Sequence, residues 1–107
     1  MRVLLDECVP RPLRQELPEH EVRTVPEMGW AGKKNGALLA LTKGAGFEVL
    51  VTTDQNLEYQ QNLQQAGIPV IVLVALRNTL QSLLPLMPGL RLALERVRPG
   101  EVVHVSV

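Results

Sequence analysis

The chain has 107 residues, enough for one domain and too few for two. Hydrophobic residues make up 46% and aromatics only 3%, so a core must be filled by Val, Leu and Ile. Lys+Arg and Asp+Glu stand at 11 each, and zero formal net charge argues against a broad nucleic-acid footprint while leaving room for a local basic patch. The one cysteine, Cys8, excludes an internal disulfide and any cysteine-based metal motif. The opening MRVLLDECVP is too short and too soon charged for a signal peptide. The longest apolar run, 68–76, contains Pro69 and cannot span a bilayer. A soluble, cytoplasmic, reduced protein with no membrane partner is expected.

Residues 2–5 read as a strand. Residues 10–17 read as a short helix, with Pro12 tolerable in its first turn. Residues 21–25 alternate polar and apolar and read as a second strand, followed by the loop PEMGWAGKK. Asn35 is placed to cap a helix through Leu41, with GALLAL as its body and an end near Gly44 or Gly46. Residues 47–52 form a third strand, residues 57–66 a helix that stops at Gly67, and residues 69–74 a fourth strand. The continuous apolar run of that fourth strand suits burial on both faces. Asn78 is expected to cap a helix in NTLQSLLPLM. GLRLALERV reads as another helix, and Pro99-Gly100 turns the chain into a last strand, 102–107.

Strands alternating with helices imply an α/β domain: three layers, a mostly parallel sheet, helices on both faces and right-handed crossovers. The first, third and fourth strands are the most apolar and belong in the centre; the half-polar second strand belongs nearer an edge. The order 2-1-3-4 follows, with a final edge strand at the far side for which an antiparallel orientation is open. Successive connections then leave the first strand in opposite directions, and the crevice falls between the carboxyl ends of strands one and three. Asp6 and Glu7 end the first of these strands and Asp54 the other. Either acidic station alone is as readily a helix cap; the two together, at the topological switch point, point to a site.

Three like charges a few ångströms apart in a partly buried crevice repel by several kcal/mol, so something must neutralise them. A proton, a basic side chain or a hard cation would serve. Mg²⁺ or Mn²⁺ takes oxygen ligands, often one or two carboxylates with water and phosphate oxygens, and stabilises phosphoryl-transfer chemistry.

Four pieces in order, VLLDECVP, HEVRTVPEMGWAGKKNGALLALT, VLVTTDQNL and IPVIVLVALRN, make up about half of the chain and are spread over residues 3–78. Together they resemble the PIN-like superfamily of metal-dependent nucleases, and within it a small bacterial branch. The resemblance implies that Asp6 matches the first metal-binding aspartate, Asp54 the acidic position after the third strand, and Glu7 the acidic residue that follows the first aspartate. Asn35 and Ala37 stand where relatives often carry an acid at the start of the middle helix, and Asn56 where they often carry a second aspartate. Asparagine can offer a carbonyl oxygen but no charge, so the site is leaner than a four-carboxylate centre.

The expectation is a Mg²⁺- or Mn²⁺-dependent ribonuclease of the kind used as the toxin in a toxin–antitoxin pair. Asp6 and Asp54 would bind the metal, Glu7 would complete the shell or position the attacking water, and Asn35 and Asn56 would orient waters or substrate. Lys33 and Lys34 with Arg11 and Arg14 are candidates for a basic rim on the RNA backbone, and Arg77 for balancing the acidic cluster or binding phosphate. Trp30 suits a lid over the core better than a base-stacking platform, Cys8 an inert thiol, and His20 and His104 surface positions. A PIN-like module that binds RNA or a protein partner without turnover is the alternative. A receiver-like phospho-acceptor domain shares the geometry, but this chain has no lysine beyond Lys43, and VALRN supplies no hydroxyl directly after the fourth strand. The leucine-rich stretch 80–97 is more apolar than one covering layer requires, and the last strand has an open edge, so a homodimer through the C-terminal third is expected.

Overall fold

The computed structural model describes residues 1–33, 35–55 and 67–107. Five short strands, β1 (Arg2–Leu5), β2 (Glu21–Thr24), β3 (Val49–Thr52), β4 (Val70–Leu73) and β5 (Val102–Val105), form one sheet in the order β2-β1-β3-β4-β5. Every pairing is parallel. The last strand therefore corrects the antiparallel option. The ten-residue helix α3 (Met87–Arg96) lies between β4 and β5 and returns the chain to the end of the sheet where β4 began.

The sheet has two covered faces because its side chains alternate. Val3, Leu5, Val49, Val51, Ile71, Leu73 and Val105 face one side. They pack under a 3₁₀ segment (Arg11–Glu16), a short helix α2 (Leu80–Leu83), a second 3₁₀ turn (Leu84–Leu86) and α3. Leu4, Leu50, Val70 and Val72 face the other side, under Leu38 and Leu39 of α1 (Asn35–Gly44) and under Phe47. β3 and β4 are buried along their whole length and β1 from Val3 onward, as suits parallel strands covered on both faces. β2 alternates exposed and buried, which suits its place at the margin.

Helix α1 ends in a Schellman arrangement. Phe47 N–H donates to the Thr42 carbonyl at 3.1 Å and Gly46 N–H to the Lys43 carbonyl at 3.0 Å, with Gly46 at φ +82°. The guanidinium of Arg2 lies 4.4 Å from the Phe47 ring centre, also donates to the Ala45 carbonyl, and pairs with Glu21 at 2.9 Å. Trp30 is half-buried and meets Phe47 edge to face at 6.1 Å, so it closes the core as a lid.

Three other expectations change. The cap of α2 is Thr79, whose hydroxyl accepts from Ser82 N–H at 3.2 Å, and Asn78 stands one residue outside it. The leucine surplus is mostly internal: Leu83, Leu86, Leu90 and Leu94 are buried, and only Leu84 and Leu92 of that stretch are exposed. Gly89 lets α3 approach β5, since a Cβ there would lie 2.9 Å from a Val105 methyl. His20 is half-buried beside Glu19, whereas His104 is exposed. The expected helix 57–66 lies outside the described residues. No helix among the described residues is long and apolar enough to cross a membrane.

Candidate metal and phosphate site

The two acidic stations meet at the carboxyl ends of β1 and β3. Asp6 N–H donates to the Val51 carbonyl at 2.9 Å, which carries the β1–β3 ladder one residue past the strand. That placement buries Asp6 to 7% exposure, and a carboxylate so placed is costly unless its oxygens are hydrogen-bonded. Both are: Oδ1 accepts Glu7 N–H at 2.8 Å and Oδ2 accepts the Thr52 hydroxyl at 2.8 Å. Thr52 is fully buried, and its Oγ1 in turn accepts Asp54 N–H at 3.0 Å. One hydroxyl thus ties the side chain of the first station to the backbone of the second.

An open cleft of about 300 Å³ lies over this junction, lined by Asp6, Glu7, Cys8, Lys33, Thr53, Asp54 and Asn78. Cys8 Sγ sits 3.4 Å from Thr52 Oγ1 and accepts Thr53 N–H at 3.5 Å, which gives the thiol a structural role. Glu7 is exposed and its Oε1 accepts Gly32 N–H at 3.3 Å, so it joins the first station to the loop that carries Lys33. Gly32 presents that N–H from φ +81°, a backbone conformation open to glycine.

Of the expected site residues, the cleft brings together Asp6, Glu7, Asp54 and Lys33. Arg11 lines a neighbouring groove of about 470 Å³ that shares Glu7. Arg14 is drawn away into a pair with Glu27 at 3.2 Å. Arg77 is exposed and does not line the cleft. Lys34 and Asn56 lie outside the described residues, as does the side chain of Asn35, the first residue of α1.

Among the described residues no three His, Cys, Asp or Glu side chains form a metal-holding group. The donor set still fits a hard cation. Two carboxylates in one cleft are what Mg²⁺ commonly takes from a protein, with water and substrate oxygens completing its shell. Thr53 Oγ1 is buried in the cleft wall and has no hydrogen-bond partner among the described residues, so it can serve a ligand's oxygen or a water.

Thr52, Thr53 and Asn78 are the members that sequence reasoning missed. Buried threonines at a strand end read as β-branched filler. The signal for Asn78 is the pair Asn78-Thr79: two capping residues in a row, of which only one can cap.

Replacing Thr52 by valine keeps the shape and leaves both an Asp6 oxygen and Asp54 N–H without their partner. The cost should be about 1–3 kcal/mol. A thermal melt should therefore drop by roughly 5–20 °C for a domain of this size. An unchanged melting temperature would show that the hydroxyl does not hold the junction.

A family model described as PIN like domain matches residues 1–75, which take in β1 to β4 and both acidic stations. No curated protein and no solved structure matches the chain.

Proposed function

The chain belongs to the PIN-like domain family, and on that premise we propose that it is a Mg²⁺- or Mn²⁺-dependent nuclease that hydrolyses RNA. The observation that supports this best is the meeting of Asp6 and Asp54 in one open cleft at the switch point of the sheet. The finer part of the proposal is a toxin role, with an antitoxin protein as partner and a homodimer as the working form.

In this reading Asp6 and Asp54 hold the cation, and Thr52 fixes the orientation of the Asp6 carboxylate. When bound, the cation supplies Lewis-acid stabilisation of the charge on the phosphoryl oxygens. Glu7, exposed at the mouth of the cleft, positions the attacking water. Lys33 binds the phosphate. Arg11 and Arg77 attract the RNA backbone from outside the cleft, and the charge of Lys34 adds to that attraction. Asn35 and Asn56 orient waters or substrate without adding charge.

A second reading is a PIN-like module that binds RNA or a protein without turnover. It is favoured by the lean donor set: no metal-holding group of three among the described residues, and asparagine or alanine at positions 35, 37 and 56.

Saturating Mn²⁺ should stabilise the native chain by about 2–3 kcal/mol at 100 times its dissociation constant. The melting temperature should then rise by roughly 10 °C or more. The same protein should cut single-stranded RNA with Mn²⁺ present and stop when EDTA is added. A melting curve indifferent to divalent cations, with no cleavage, would sink the proposal. A thermal rise without cleavage across a broad RNA panel would leave the binding module. Labelling of Asp54 by acetyl phosphate would favour a phospho-acceptor instead.

A further inference from the structure

One residue of the cleft has no task in the fold or in the chemistry above. Asn78 follows β4 and lines the cleft with Asp6, Asp54 and Lys33. The capping it was suited for falls to Thr79, and its carboxamide makes no hydrogen bond among the described residues. It stands next to a fixed residue, a few positions after the end of the β4–β5 ladder. Val74 N–H is bonded to the Val105 carbonyl at 2.8 Å, and Thr79 is fixed through Ser82, accepting its N–H at 3.2 Å and lying 3.0 Å from its hydroxyl. An exposed carboxamide that lines the cleft, adjoins a fixed cap residue and is bonded to none of the described residues can turn to a ligand there.

We infer that Asn78 binds the substrate phosphate as the neutral member of a two-point clamp with Lys33. The inference rests on the nuclease reading and names the residue that would seat its phosphodiester. The carboxylates come from β1 and β3, the middle of the sheet order. Asn78 follows β4, which flanks β3. Lys33 belongs to the segment that leaves β2, which flanks β1. A phosphodiester over the carboxylates would have a cation on its inner side and these two donors on its flanks. Its non-bridging oxygens need donors, and an Asn carboxamide N–H₂ provides two. The neutrality of Asn78 matters. A second lysine or arginine here would pair with the carboxylates and compete with the cation for them. An amide serves the phosphate without that competition.

The test separates the clamp from the cation site. Binding of a short fluorescein-labelled single-stranded RNA is read by anisotropy over a salt series, with Ca²⁺ as the cation and a gel to confirm intact RNA. Asn78→Ala should weaken binding roughly tenfold, as loss of a hydrogen bond to a charged group does. Its salt slope should match wild type, because a neutral donor releases no counterion. Lys33→Ala should also weaken binding and should lower the slope by about 0.7. Asn78→Asp should bind more weakly than Asn78→Ala, since a carboxylate then faces the phosphate. Asn78→Ala should keep the wild-type Mn²⁺-dependent thermal rise and, being an exposed change, the metal-free melting temperature. Unchanged RNA affinity in Asn78→Ala overturns the inference. Loss of the Mn²⁺ rise in that variant overturns it too and makes the carboxamide a cation ligand. A wild-type protein with the Mn²⁺ rise but no RNA affinity overturns the clamp while the cation site stands. A wild-type protein lacking both defeats the nuclease reading itself.

Discussion

Asp6→Asn is expected to abolish both RNA cleavage and the Mn²⁺-dependent rise in melting temperature while leaving the metal-free fold nearly as stable as wild type. The reason lies in the hydrogen bonds around Thr52. The aspartate accepts on both oxygens, from Glu7 N–H and from the Thr52 hydroxyl. An asparagine can keep the first with its carbonyl and turn its amide toward Thr52. Thr52 Oγ1 can then accept from that amide and from Asp54 N–H, and donate its own proton to Cys8 Sγ at 3.4 Å. Every polar group stays paired, and the change is confined to charge and to donor–acceptor sense. Asp6→Ala has no such escape. It leaves Glu7 N–H without its acceptor and takes from the Thr52 hydroxyl its short carboxylate partner, leaving only the longer contact to Cys8 Sγ for its proton, at about 1–3 kcal/mol in all. Metal-free melts should rank wild type and Asp6→Asn together, with Asp6→Ala several degrees below. If Asp6→Asn cleaved RNA at the wild-type rate, the activity would belong to another site or another protein.

Leu50→Ala is expected to be among the most damaging single changes to stability. Leu50 is fully buried on the central strand, in register with Leu4 on one side and Val70 on the other. It also packs with Leu38, Leu39 and Phe47 in the cluster under α1. Truncation there removes apolar burial and leaves a cavity whose walls are strands paired on both sides, which collapse poorly. The loss should be about 2–5 kcal/mol, against a total of roughly 5–15 kcal/mol for a domain. Denaturant titration should give a lower midpoint with an unchanged slope. A loss under about 1 kcal/mol would mean that this face of the sheet is loosely packed.

The strand order was readable because the polar alternation of EVRT set one strand apart from the apolar VLL, VLV and VIVL runs, and that alternation is the burial pattern observed. The acidic stations were readable for the same reason: once the order is known, Asp6 and Asp54 must lie at adjacent strand ends. The direction of β5 was not read, because a half-polar pattern marks a margin without saying which way the strand runs. That direction is set by the helix before it, whose length was visible in GLRLALERV. The share of the leucine-rich stretch left exposed, Leu84 and Leu92, is smaller than its composition suggests. α2, the following 3₁₀ turn and α3 together cover the β3-to-β5 side of the sheet, and that area absorbs Leu83, Leu86, Leu90 and Leu94. Thr52 and Asn78 were missed because their roles depend on a hydroxyl's partners and on which of two neighbours takes the cap. Both are settled in three dimensions.

The all-parallel sheet has a consequence for how the chain reaches its native state. No neighbouring pair of strands can be joined by a hairpin, so every pairing must wait for an intervening segment to close. Thr52 and Asp6, whose hydrogen bond joins the two stations, are 46 residues apart in sequence. The entropy of that closure comes before any reward from the contact, which places this topology among the slower folders of its size. The cleft is therefore assembled in the same event that docks β3 on β1. A collapsed or nicked chain in which those strands are apart holds two unrelated carboxylates, and an added cation would report on completed folding as directly as on the site itself.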